Sequence, residues 1–204
     1  MNVNRCLAAL LALLLAGCAA VQPISDAERK KITSVSINTA VAKPPAMHFL
    51  GSMGGLMFGA AGAAAGAPSM ENDRKAFQAF VEENGISIEK IVFEETTDAL
   101  RRAGKFPLAA QPEANGAVIH ISIVQYGFSI PHGFSSKLVP TLFIRCDMKD
   151  AGGKVVWSSS ERTMTLGNPV EGVEPEVFRS NPKAMETSWR AAAKHIATAI
   201  AKGY

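Results

Sequence analysis

The chain has 204 residues, 21 Lys and Arg against 18 Asp and Glu, a formal charge of +3 and 48% hydrophobic residues. That length suffices for one domain with a substantial core. The near balance of charge leaves out nucleic acid as a partner, which calls for a clustered basic face.

The first residues, Met1 to Arg5, carry one basic side chain, and Leu7 to Ala16 are ten apolar residues in a row. A bilayer span needs about 20 residues at 1.5 Å each, so this run has the size of a removable signal core. Leu15-Ala16-Gly17-Cys18 closes it. Two small residues suit a peptidase cut, and the cysteine after them offers a thiolate that can be alkylated. The order resembles the lipobox of bacterial lipoproteins. The resemblance implies a signal peptide over residues 1–17 and palmitate-like acyl chains on Cys18. With Ala19 rather than Asp next, it also implies sorting to the cell outer membrane, the domain facing the periplasm. One acyl chain binds only marginally, at about 0.8 kcal/mol per buried CH₂, whereas two or three hold firmly.

Cleavage leaves 187 residues with a charge of +2, because Arg5 departs. Of three cysteines, Cys6 leaves with the leader and Cys18 is the anchor, so Cys146 stands alone and no disulfide framework forms. It lies in a period-two run with Leu138, Pro140, Leu142, Ile144 and Met148, which predicts a buried, inert thiol.

Residues 18–31 read as the lipidated N-terminus and a tether too polar to fold alone, and residues 32–204 as the periplasmic domain. Val35 to Val41 alternates as a first strand ending before Pro44-Pro45. Residues 44–70 form a Gly/Ala-rich insertion without a formally charged residue. Within it Gly55, Gly59, Gly62 and Gly66 have small-xxx-small spacing, which lets a second backbone approach one helix face. The pattern resembles a glycine zipper, and these four residues are the candidate membrane or oligomer contacts. Glycines cost a helix about 1 kcal/mol each and the segment has few strong inserters, so a loop, a packing helix and a span all stay open.

A helix is predicted over residues 71–83, stopped by Asn84-Gly85. A second, capped by Ser87 and ended by Gly104, carries Ile88, Ile91, Val92, Thr96, Ala99, Leu100 and Ala103 on one face. Glu94 and Glu95 read as a solvated face, since adjacent helix residues point about 100° apart. Lys105 to Ala110 reads as a short strand. Val118 to Tyr126 is the central strand, with Ile119, Ile121 and Ile123 on one side and His120, Ser122, Val124 and Tyr126 on the other. Leu138–Met148 and Val155–Thr165 form a hairpin through Asp150-Ala151-Gly152-Gly153, with Pro140 at an edge or bulge. Asn168 to Arg179 reads as a linker. Asn181 and Pro182 open a last helix with the stripe Met185, Trp189, Ala192, Ala193, Ile196 and Ile200, ended by Gly203.

The sequence has no phosphate-cradling loop, nucleophile elbow, His-Glu-x-x-His or Cys-x-x-Cys. His48, His120, His132 and His195 lack ligand spacing, so neither metal nor cofactor is expected. His132 beside Ser135 and Ser136 has no acidic orienter in a recognisable context. The loop after the central strand, with Phe128, Phe134 and Lys137, reads instead as a protein-contact surface, aromatics beside a basic residue being common interface anchors.

Three phrases carry a wider resemblance: Asp98-Ala-Leu-Arg-Arg-Ala-Gly-Lys-Phe106, Gly153-Lys-Val-Val-Trp157, and the Ala-rich helix from Trp189 to Ala201. Behind a lipobox, their order resembles the periplasmic α/β lipoproteins typified by the curli secretion-channel lipoprotein and the activator lipoproteins of penicillin-binding proteins. The expectation is a single mixed α/β domain, four to five strands packed by two to three helices. Its expected role is that of a non-enzymatic envelope lipoprotein that binds another envelope protein or itself. An oligomeric pore or secretion-channel component using the glycine segment is the alternative.

Overall fold

A computed structural model of the chain describes residues 22–50, 70–131 and 135–204. Five strands make one mixed sheet: β1 (Val35–Ile37), β2 (His48–Leu50), β3 (Ala117–Ser129), β4 (Val139–Lys149) and β5 (Val155–Arg162). The helices are α1 (Asp26–Arg29), α2 (Met70–Glu83), α3 (Ile88–Ala103), α4 (Pro175–Ser180) and α5 (Pro182–Lys202). The mixed α/β class is the one expected.

β3 is the central strand, paired along both edges. On one side β1 and β2 both run parallel to it, Val35 opposite Ala117 and His48 opposite Gly127, with a bridge from Ala42 to Ser122 between them. The expected single strand over 35–41 is thus a longer edge, broken where Pro44 and Pro45 cannot donate to a ladder. On the other side β3, β4 and β5 form an antiparallel meander.

The central strand changes phase midway. Ile123 faces Ile144 and Gln125 faces Phe143, so Val124 is an extra residue, 45% exposed. The bulge inverts the alternation after it. Tyr126, expected on the side of His120 and Ser122, turns inward with Ile119, Ile121 and Ile123, and Phe128 follows it. The strand is also longer than its alternating part, reaching Ser129.

β4 supplies Leu142, Ile144, Cys146 and Met148 to the same core face, and β5 supplies Trp157. α3 and α5 cover it with the predicted stripes: Ile88, Ile91, Val92, Thr96, Ala99 and Leu100 are buried, as are Met185, Trp189, Ala192, Ala193, Ile196 and Ile200. Ser87 caps α3 by accepting from the Lys90 amide at 3.1 Å, and Gly104 ends it at φ +61°. Pro182 opens α5, although the Asn181 side chain makes no cap bond.

Several elements differ from expectation. Residues 105–110 give one bridge, Leu108 to Val35, because only the Val35 amide and carbonyl reach them. The expected linker 168–179 contains α4, with Pro175 at the first position, where its missing amide proton costs nothing. The tether does not stand free from Gln22 onward. The Gln22 amide and carbonyl pair with Ser158 at 2.9 and 3.0 Å, adding a bridge to the β5 edge, and α1 forms behind its Ser25 cap. Pro140 sits where the β4–β5 ladder has not begun, the first pair being Phe143 with Arg162.

Candidate functional site

The N-terminal segment reaches the domain through several contacts. Beyond the Gln22 bridge, the Glu28 carboxylate pairs with Lys154. The Arg29 guanidinium lies 5.1 Å from the centre of the Phe106 ring. Phe106 meets Tyr204 edge-on at 5.5 Å, and Tyr204 meets Trp157 in the same way. The Trp157 indole donates to the Gly203 carbonyl at 2.8 Å, so the segment's landing place adjoins the end of α5. The Lys154 ammonium, hydrogen-bonded to Glu28, holds that carboxyl below its ordinary value against the opposing effect of desolvation.

Between the ends of α3 and α5 runs an open groove of about 370 Å³, lined by Ala99, Ala103, Thr198, Ala201, Arg102, Lys105 and Lys202. Small side chains form its floor and cations its rim. The Lys105 ammonium donates to the Lys202 carbonyl at 2.9 Å. Sequence reading missed this assembly because Arg29 to Lys31, Arg101 to Lys105 and Lys202 each look like an ordinary solvated run. The signal lay in their joint position, which only the fold supplies.

The sequence-predicted residues fall into two groups. Cys18, Gly55, Gly59, Gly62, Gly66 and Phe134 lie outside the described residues. Lys137 is exposed, 3.6 Å from Glu171. Phe128 corrects the expected contact loop. It belongs to β3, is 0% exposed, and its ring lies 5.6 Å from Phe77, 5.1 Å from Phe178 and 5.0 Å from Trp189. It is the hub of the core aromatics, because the bulge at Val124 points it inward.

Glu94 and Glu95 correct a second expectation. Both accept from Nη1 of Arg190 on α5, at 2.9 and 3.1 Å, while Glu186 takes Nη2 at 3.1 Å. Hydrogen bonds from the three carboxylates raise the guanidinium's already high pKa. The clamp pins α3 to α5, and half-exposed pairs of this kind contribute little more than about 1 kcal/mol.

The Asn38 amide oxygen accepts from the Ala40 amide at 3.0 Å, so its nitrogen is the group 3.2 Å from Nδ1 of His120. That leaves the proton of a neutral ring on Nε2. Asp147, opposite His120, takes Arg145 Nε at 2.9 Å and Ser158 Oγ at 2.6 Å. Cys146 is free and buried, and burial, with Asp147 beside it, pushes its thiol up to about 12. Among the described residues no three His, Cys, Asp or Glu gather as metal ligands, and no helix is long and apolar enough to cross a membrane.

Comparison with family models and with curated proteins returns no match. Among solved structures, the chain is similar to a PelC dodecamer from Paraburkholderia phytofirmans at 10% identity and TM-score 0.39, over 90% of this chain and 94% of that one. It is also similar to a Xanthomonas campestris protein of family DUF330 at 10% identity and TM-score 0.46, over 90% and 89%. Likenesses at these values carry no inference about function.

Proposed function

We propose that the protein is a non-enzymatic cell-envelope lipoprotein, anchored through an acylated Cys18 in the outer membrane and acting in the periplasm as a binding or assembly accessory. The observation that carries this is the spacing between lipobox and fold: Gln22, four residues beyond Cys18, is already paired to the sheet edge. Four residues extend at most about 14 Å, so an acyl chain on Cys18 keeps the domain against the lipid instead of at the end of a long leash. Placement beside a membrane suits a protein that holds something there. In support of this reading, His120 leans on an amide, and Arg190 and Asp147 are taken up by neighbours.

Mass spectrometry of the processed chain tests the reading. Two or three acyl chains on residue 18, and release of a Cys18→Ala variant from membranes, are the expected results; an unmodified sulfur overturns it.

A second reading rests on the spacing of Gly55, Gly59, Gly62 and Gly66, which suits close backbone packing between copies in a pore or secretion component. Gly59→Leu then dissolves an oligomer that the parent chain forms in mild detergent, and a strictly monomeric parent removes the idea.

A further inference from the structure

We propose that the converging ends of α3 and α5, together with the basic turn at Arg29 to Lys31, form a docking surface for the anionic phospholipid headgroups of the membrane that holds the anchor. The orientation rests on the lipoprotein reading above; the charge and shape do not.

Two helix ends carry partial negative charge and draw cations for purely structural reasons. That explains Lys105, whose ammonium sits on the Lys202 carbonyl, and Arg101 is engaged by Asp98. It also suits Arg102 and Lys202, each in a last turn, but a helix end carries only partial charge and leaves theirs largely unneutralised. Arg102, Lys202 and Lys30 are exposed and belong to no ion pair among the described residues, and Lys31 is exposed beside them in sequence. The nearby carboxylate Glu28 is already bound to Lys154. The groove lined by Arg102 and Lys202 is open and floored by Ala99, Ala103 and Ala201, so a headgroup can enter without displacing a large side chain, and Arg29 reaches the neighbouring Phe106 ring.

Position selects the occupant. Gln22 pairs with Ser158, the next residue Trp157 bonds Gly203, and Gly203 follows Lys202. A lipid surface reached by an anchor four residues before Gln22 therefore lies within about 14 Å of Gln22, on the strand edge that Trp157 links to the end of α5. Each basic side chain near an anionic surface adds about a fivefold gain in partition, screened by salt beyond about 10 Å at 0.1 M.

The test uses the chain from residue 18 onward with Cys18→Ala, so that no acyl group contributes, and sedimentation with vesicles. Vesicles of phosphatidylcholine plus phosphatidylglycerol should retain it, phosphatidylcholine alone should not, and added salt should release it. Arg102→Gln with Lys202→Gln should lower partition by about 25-fold, while Lys90→Gln with Lys183→Gln, exposed at the opposite ends of α3 and α5, should leave it unchanged. Lys30→Gln with Lys31→Gln, outside α1, α3 and α5, gives the same test if the helix-end pair unfolds the chain. Equal retention of both groove and turn variants, or equal binding to the neutral vesicles, overturns the proposal. So does displacement by inorganic phosphate at matched ionic strength, which would mark a site for free anions. Because the acyl group is absent throughout, these failures are separate from a failure to find lipid on Cys18.

Discussion

The Trp189 indole nitrogen donates to the carbonyl of Gly127 at 3.1 Å, tying the middle of α5 to β3 just after the bulge. Gly127 has φ +152°, and a Cβ built there would stand 1.7 Å from the His48 carbonyl oxygen. Glycine is needed because the His48 backbone of the neighbouring strand β2 occupies the place of a Cβ. Gly127→Ala should expel β2 and cost about 3 kcal/mol, read from urea unfolding. Trp189→Phe keeps the ring but strands the carbonyl, for about 1–2 kcal/mol.

Removing Val124 makes a sharper test of the bulge. Its deletion leaves Ile123 and Tyr126 two positions apart, so a regular ladder still turns both inward. The variant should fold, losing no more than about 2 kcal/mol. Inserting one alanine after Ile121 should be far worse, since Ile123 then points to the solvent face. Circular dichroism melts of the two chains compare them; a folded insertion and an unfolded deletion would reverse the assignment.

Docking of the N-terminal segment should depend on pH. Lys154 lowers the Glu28 carboxyl, so the pair contributes above the ordinary glutamate value of about 4.3 and is lost as pH falls through the lowered one. Hydrogen exchange should show the Gln22 and Ser158 amides losing protection in acid before the β3–β4 ladder does. Glu28→Gln should show that loss already at neutral pH.

Cys146 gives an alkaline counterpart. An unfolded thiol ionises near 8.5, whereas burial holds the folded one near 12. Between those values the unfolded state binds fewer protons, so stability falls as pH rises, by about 1.4 kcal/mol per unit. The Cys146→Ala variant should lack that component, and the native thiol should resist alkylation until the chain unfolds.

The helices α3 and α5 were legible from apolar spacing, Ser87, Gly104 and Pro182, because cap and stripe are local signals. Phe128 was misplaced because a bulge shows no mark in the residues themselves: Val124 is an ordinary strand former, and only its register against Phe143 makes it surplus. Glu94 and Glu95 were misread for a related reason, their partner Arg190 being 95 residues further along.

What the sequence by itself determined is what depends on neighbours within a few residues: the period of the main strands and helices, the turn at Asp150 and the burial of Cys146. The tertiary structure alone decided which runs meet. It folded the segment from Gln22 to Arg29 back onto the domain, turned Tyr126 and Phe128 into the core, and gathered Arg29, Arg102, Lys105 and Lys202 at one end. Charges and edges far apart in the chain acquire a common address only when burial of the apolar faces has fixed the elements against one another.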